Sequence, residues 1–279
     1  MRILFIGDVV GNSGLDAILT HLPKVIADWK VDFALVNGEN AASTGFGITE
    51  EAYEKIITAG ADVVTLGNHS WNRKEALGLI ERVPRLIRPI NYIDGAPGNG
   101  AAVLNAKNGK RVLVINALGR LFMEPTEDPF GRIDRELTTT SPMLGDTIHA
   151  IIVDFHCEAT GEKQAAGRFC DGRASLVAGT HTHTPSADYQ ILRGGTAFIT
   201  DVGMTGDYDS VVGMQADEPL RRFTTGIPAG RFEAATGPAT MCGVAVETND
   251  ATGLALRIAP VRIGGRLEQA RPSFWTAKP

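Results

Sequence analysis

Along the first third of the chain, short apolar runs alternate with stretches in which apolar residues recur every three or four positions. "RILFIG" (2–7) is an apolar run closed by glycine, the pattern of a strand buried on both faces. Leu15, Ile18, Leu19, Leu22, Val25 and Ile26 then repeat at helical spacing, with Ser13 as N-cap and Pro23 as a kink inside the helix. "FALVNG" (33–38) and "DVVTLG" (62–67) predict a second and a third strand. Between them, residues 49–59 predict a helix capped by Thr49 and closed by Gly60, and residues 73–82 predict the next helix. Strand, helix and strand at this rhythm predict βαβ units and a parallel sheet.

Further strands are predicted at 101–104, 111–116, 148–155, 175–179, 188–192, 196–200, 242–247 and 254–262. The later ones follow closely with few helices between them, so a second sheet, partly antiparallel, is expected to pack on the first. The expected fold is therefore α/β, with two packed mixed β-sheets flanked by helices. No repeat and no linker rich in Pro, Gly or Ser divides the chain, so residues 1–279 are expected to form one domain. The segment 203–238, rich in Gly, Thr and Pro, predicts a long excursion over the surface, of a length that is often functional.

Charge narrows the partners. The net charge is -5, and no Lys/Arg cluster offers the basic face that long nucleic acid requires. A small anionic ligand would then need a metal to supply local positive charge. The three cysteines, Cys157, Cys170 and Cys242, are odd in number and lack C-x-x-C spacing, which argues against a disulfide framework or a zinc–thiolate site. "MRILFIGDVVG" is too short an apolar stretch for a signal region or a membrane span, so a cytoplasmic setting is expected. A homo-oligomer stays open.

The chemistry sits directly after the predicted strands. "GDVVG" carries Asp8, "NGENAA" carries Glu39 and Asn40, and "GNHSWN" carries Asn68 and His69. "DFHCE" carries His156, and "GTHTH" carries His181 and His183. In open α/β sheets, ligands bind beyond the carboxyl ends of the strands, so these residues are expected to converge. A bare H-x-H is also what two histidines on one wet strand face would show. With only six histidines in the chain, their concentration at strand ends favours a distributed site.

One aspartate, one glutamate, two asparagine amides and three or four imidazoles exceed what a single tetrahedral zinc needs. They suit two ions sharing a bridging carboxylate. Imidazole mixed with hard oxygen favours iron, manganese or zinc over calcium or copper(I). Paired ions about 3.5–4 Å apart stabilise the attacking and departing oxygens of an in-line displacement at phosphorus, so phosphoester hydrolysis is the natural chemistry.

The blocks "GDVVG", "NGEN", "GNHSWN", "DFH" and "GTHTHT" resemble those of the calcineurin-like metallophosphoesterases, in order, across residues 7 to 184. "NGENAA", "RPINY" (88–92), "DFHCEAT" (154–160) and "DVGMTG" (201–206) bring the resemblance closer to the bacterial YmdB-type branch, which includes 2′,3′-cyclic-nucleotide phosphodiesterases. The resemblance implies an α/β/β/α sandwich and a dinuclear phosphodiesterase acting on a small phosphodiester substrate, with iron as the metal and manganese as the alternative. It implies that Asp8, Glu39, Asn40 and His183 hold the first ion and that Glu39, Asn68, His156 and His181 hold the second. Glu39 bridges, hydroxide on the paired ions attacks, and His69 donates a proton to the leaving alkoxide. Three positions depart from the wider pattern. Val10 stands where a histidine ligand is usual, Glu39 replaces a bridging aspartate, and Ser70 replaces the acid after G-N-H.

Each residue also has a plainer reading. Asp8 and Glu39 would serve as loop acids, Asn40 and Asn68 as turn residues, and His69 as a helix cap. His156 would be a satisfied structural histidine. His149 lies an odd number of residues from His156 and is expected on the opposite face as a structural residue. His21 falls within the first helix, and Cys157 reads as a small buried residue. Asp154 either orients a ligand or is a plain strand-end acid, and Asp201, Thr205 and Gly206 are placed near the substrate. Two rival functions remain, an amidohydrolase-like metallohydrolase and a regulatory metal-binding protein acting through a partner. The former carries H-x-H after its first strand, whereas here it follows about two thirds of the chain.

Overall fold

The computed structural model describes residues 1–275. Its first sheet contains β1 (Arg2–Ile6), β2 (Phe33–Asn37), β3 (Val63–Thr65) and β4 (Leu86–Ile87), all parallel. β1 also pairs antiparallel with a late strand, residues Ala239–Thr248, which carries Gly206–Asp207 on the same side and Ala255–Ile263 on the other. The second sheet runs β5 (Ala101–Asn105), β6 (Arg111–Leu118), β7 (Ala150–His156), β8 (Leu176–Thr180), then Ala197–Ile199 and Gln190–Ile191. Only its two edge strands are antiparallel.

Strand parity builds the layers. Leu4, Ile6, Val36 and Val64 face α1 (Gly11–Trp29), α2 (Glu50–Thr58) and α3 (Lys74–Arg82) in one core. Their neighbours Ile3, Phe5, Phe33, Leu35 and Val63 face Val112, Val114, Ile152, Leu176 and Ala178 in the core between the sheets. Leu113, Ile115, Val153 and Phe155 turn outward against α4 (Pro129–Thr140) and α5 (Thr160–Phe169). Successive strand residues point to opposite faces, so this alternation gives the expected α/β/β/α stack.

Several local expectations are corrected. α4 and α5 lie between β6, β7 and β8, so the second sheet is wound by helical crossovers and is more parallel than the strand spacing suggested. α1 begins at Gly11 with Val10 as its N-cap, and Ser13 lies inside the first turn. Pro23 sits within α1 one turn after Leu19, whose carbonyl therefore lacks its usual helical partner. Thr49 caps α2 as expected, accepting from the Ala52 amide at 3.1 Å.

The 203–238 segment is only partly a surface excursion. It contributes α6 (Asp217–Thr225), and buries Met204 and Met214 against Val10 in a small cluster flanked by Phe46, Tyr208 and Phe232. Val10 is thus an apolar packing residue at the position where a histidine ligand is usual. Among the described residues, no helix is long and apolar enough to cross a membrane.

Candidate metal centre

The inter-sheet core turns polar at the carboxyl ends of the strands. Continuing the inward parity, β2 ends in Asn37, β3 in Thr65, β7 in Asp154 and His156, and β8 in Thr180, all buried. The loops that follow bring Asp8, Glu39, Asn40, Asn68, His181 and His183 to the same place. Around His156 Nε2 stand Asn68 Oδ1 at 3.0 Å, His181 Nδ1 at 3.1 Å and Glu39 Oε1 at 3.2 Å. Donors at right angles around an ion at about 2.1 Å would be about 3 Å apart, so these separations fit a cation at their centre. Asp8, Glu39 and His183 form a second group with donor atoms within 4.8 Å of one another, and Glu39 belongs to both.

Asn40 lies against this second group, its Nδ2 2.9 Å from Glu39 Oε1 and 3.3 Å from His183 Nε2. Its Oδ1 is buried without a partner, as is Asp8 Oδ1. Buried acceptors without donors are uncommon, and a cation would satisfy both. A half-turn of the Asn40 amide would present its carbonyl oxygen to the donor group. Gly67 keeps the cradle open, because a Cβ there would fall 2.1 Å from Glu39 Oε2 and 2.4 Å from His156 Nε2. The residues therefore fit a pair of metal ions.

In each of these three histidines one ring nitrogen is engaged by a hydrogen-bonding or charged neighbour and the other faces the donor group. His156 Nδ1 lies 2.9 Å from the Thr180 hydroxyl, which itself donates to Asp154 Oδ1 at 2.7 Å. The hydroxyl must then accept from Nδ1–H, so Nε2 is the nitrogen turned towards Asn68, His181 and Glu39. His181 reaches Glu158 Oε2 through Nε2 at 3.3 Å, leaving Nδ1 free. His183 donates from Nδ1 to the Val212 carbonyl at 2.8 Å, leaving Nε2 free. Hydrogen bonds of this kind commonly orient imidazole ligands and raise their basicity.

His181 and His183 hold φ of 97° and 63°, in the left-handed region. Positive φ is uncommon outside glycine, and such strain persists only where surroundings enforce it. Asp201 supplies the restraint, accepting from the Thr182 amide at 3.1 Å and its hydroxyl at 2.7 Å. Asp201 is in turn paired with Lys163 at 2.7 Å, both almost wholly buried. The expectation that Asp201 faces substrate is corrected, since its carboxylate is consumed in holding the histidine turn. Thr205 and Gly206 are corrected too. Both are buried, with the Thr205 amide donating to the Asp8 carbonyl at 2.8 Å and Gly206 in a strand pair with Thr240.

The crowded carboxylates draw positive charge to this spot. Burial pushes Asp8 up to about 6. Burial opposes charge on His156, yet Glu39 and Asp8 outweigh it and lift the imidazole to about 9. Burial acts upward on Glu39, but His156 holds it below the usual carboxylate range. Burial and the neighbouring His156 push His181 down to about 3, so that ring is neutral.

His69 stands beside these donors rather than among them. Its amide donates to Glu39 Oε2 at 3.3 Å, its ring meets Phe46 edge-on at 5.1 Å, and the Asn72 amide lies 3.0 Å from its Nδ1. His149 accepts from the Arg111 amide and is structural, and Cys157 is buried against Glu162 at 3.1 Å. The Asp154 carboxylate accepts from Thr180, Thr65 and Asn37, and through Thr180 it braces His156. Sequence reasoning missed Thr180, Glu158, Val212 and Lys163. Glu158 sits within "DFHCEAT" and Thr180 directly before the histidine pair, so position alone marked both.

The profile of the YmdB-like protein family matches residues 4–261. The chain belongs to that family. A 2′,3′-cyclic-nucleotide 2′-phosphodiesterase of Bacillus subtilis (strain 168) is 47% identical over 263 residues, covering 94% of this chain and 97% of that one. Among solved structures, a Thermus thermophilus protein described as hypothetical superposes with a TM-score of 0.87 at 40% identity, covering 95% of this chain and 100% of that chain. A structure described as a novel phosphatase from Mycoplasma pneumoniae superposes with a TM-score of 0.86 at 30% identity, covering 99% and 95%. This YmdB-like chain thus shares its fold with both along nearly its whole length.

Proposed function

We propose that the chain is a metal-dependent phosphoric diester hydrolase whose substrates are small phosphodiesters, 2′,3′-cyclic nucleotides foremost. The observation that carries this reading is the sharing of Glu39 by two donor groups, with His69 beside them and outside both. The name of the Bacillus subtilis relative supports the substrate class. Asp8, Glu39, Asn40 and His183 would hold one ion, and Glu39, Asn68, His156 and His181 the other. Imidazoles mixed with carboxylate and amide oxygens suit iron, with manganese as the alternative. When bound, the pair supplies a nucleophile at neutral pH and neutralises charge growing on the phosphoryl oxygens.

The chain's own residues perform the rest. Glu39 fixes the spacing of the two groups and, through the His69 amide, the place of the proton donor. The His69 imidazolium gives its Nε2 proton to the departing ribose oxygen, a poor leaving group as an alkoxide, and is left neutral with its other proton on Nδ1. Such proton transfer contributes about 10²–10⁴-fold. With its amide turned to present Oδ1, Asn72 would accept from Nδ1–H both before and after the transfer.

The test is to purify the protein without chelator, count metals per chain, and assay 2′,3′-cyclic AMP, 3′,5′-cyclic AMP and bis-p-nitrophenyl phosphate. About two ions per chain and turnover of the 2′,3′-cyclic substrate are expected. His69→Ala should keep the metals and lose about 10²–10⁴-fold in turnover. Full activity in that variant would overturn the assignment of the proton donor.

A further inference from the structure

Past His69 the surface opens into a cleft of about 470 Å³, lined by Phe46, Asn72, Arg73, Arg222, Arg231 and Phe232. Two of these also touch His69, Asn72 at Nδ1 and Phe46 against the ring. The cleft therefore begins where the leaving oxygen receives its proton, and whatever is attached to that oxygen extends into it. Its volume is within the usual range for small-ligand sites, about 300–1,000 Å³.

The lining is cationic and aromatic in a chain of net charge -5. Arg222 is already committed, with Nε on Glu218 at 2.7 Å and its guanidinium 4.1 Å above the Phe232 ring. Arg73 donates to the Phe46 carbonyl at 3.1 Å and to the Thr44 hydroxyl, both neutral acceptors, so its charge is uncompensated. Arg231 is exposed. Among the described residues, neither Arg73 nor Arg231 has a carboxylate within ion-pair reach. A guanidinium with no acidic partner matches the geometry of a phosphate, and aromatic rings offer a surface to a base.

The scissile phosphate is spoken for by the donors around Glu39, so these arginines face a different anion. Resting on the phosphodiesterase reading above, we propose that the cleft takes the nucleoside side of the substrate. Arg73 and Arg231 then select a second phosphate, 5′ of the ribose that bears the scissile group. The favoured substrate is a 2′,3′-cyclic nucleotide that also carries a 5′-phosphate, either free or as the link to a preceding nucleotide.

The test compares kcat/KM for adenosine 2′,3′-cyclic phosphate, the same compound with a 5′-monophosphate, and a dinucleotide ending in a 2′,3′-cyclic phosphate. The metal-loaded full chain is used. Either phosphorylated form should exceed the nucleoside by about tenfold, the order of one charge-assisted contact. A preference for both shows that the phosphate itself is read, and a preference for the dinucleotide alone assigns the site to the internucleotide link. In Arg231→Gln and Arg73→Gln the ratio should fall towards one, while Arg257→Gln, on the far strand Ala255–Ile263, should keep it. The ratio is independent of how much enzyme folds, and among the described residues the Arg231 side chain makes no hydrogen bond or ion pair that its loss would disturb. A wild-type ratio below threefold, or one that survives both substitutions, overturns the proposal. Failure to hydrolyse any of the three compounds would instead overturn the phosphodiesterase reading, and this one with it.

Discussion

The carbonyl of Val212 accepts a hydrogen bond from Nδ1 of His183 at 2.8 Å. Val212 holds φ of 47°, a conformation a β-branched residue avoids. The turn is pinned on both sides, by the Gly213 amide on the Ser210 hydroxyl at 3.0 Å and the Asp209 amide on Asp207 Oδ1 at 2.8 Å. Strain of this kind costs about 1–3 kcal/mol and is found where function requires it. Val212→Gly keeps the carbonyl and removes the strain, so metal content should be unchanged and the melting temperature equal or higher. Val212→Pro cannot adopt a positive φ, so the carbonyl must move and metal content should fall. A proline variant with full metal content, counted per chain, would show that this carbonyl does not orient His183.

The Thr180 hydroxyl between His156 and Asp154 makes a sharper test, because valine has nearly its shape. Thr180→Val leaves His156 Nδ1 and Asp154 Oδ1 without a shared partner in a buried site. A stability loss of about 1–3 kcal/mol is expected in denaturant melts. Metal affinity should weaken about 10–100-fold in a chelator competition. Thr180→Ser should restore most of both, and an unchanged affinity in the valine variant would remove the relay from the account.

Gly67→Ala separates the site from the fold. The new Cβ would lie among Glu39 Oε2 and His156 Nε2 rather than against the apolar core. Circular dichroism should be preserved while metal retention collapses. Gly78→Ala, in the exposed face of α3 and 3.7 Å from only a flexible arginine tip, should stabilise by about 0.5–1 kcal/mol. Equal metal retention in the two variants would mean that the cradle tolerates a methyl group.

The layered fold was legible because strand parity is written in the residue order, as in Ile3 and Phe5 against Leu4 and Ile6. The ligand-type residues were legible because they follow strands whose apolar runs end abruptly. α5 was not, since it buries only Lys163, Ala166 and Gly167 and so shows no apolar stripe. Val212 escaped for a different reason. It acts through a backbone carbonyl, which every residue has. Asp201 was seen but misplaced, because nothing local to "DVGMTG" reveals a lysine 38 residues earlier as its partner.

Stability against acid should show one identifiable surface contribution. The Lys110 ammonium, at 2.5 Å, and the chain's amino terminus, at 3.0 Å, hold Asp250 down at about 2. A depressed carboxylate stabilises the fold above its unfolded value, near 3.8, and loses that contribution as pH falls through about 2. Asp250 is 67% exposed, so screening reduces the effect to a few tenths of a kcal/mol. Asp250→Asn should lower the melting temperature slightly at pH 6 in low salt and make no difference at pH 2. A loss that persists at pH 2 would point to packing rather than charge.

The buried Lys163–Asp201 pair should be the costliest single contact to break. Lys163→Met leaves the Asp201 carboxylate buried without its cation, a change that typically costs about 3–5 kcal/mol. Lys163→Met combined with Asp201→Asn removes the stranded charge and should recover much of that stability. It should not recover the metal. An asparagine presents one acceptor where the carboxylate presents two, and Asp201 now serves the Thr182 amide and hydroxyl through one oxygen and the Gly203 amide through the other. The turn that holds His181 and His183 at positive φ would then relax. A double variant that regains stability together with full metal content would show that the strained turn stands without Asp201.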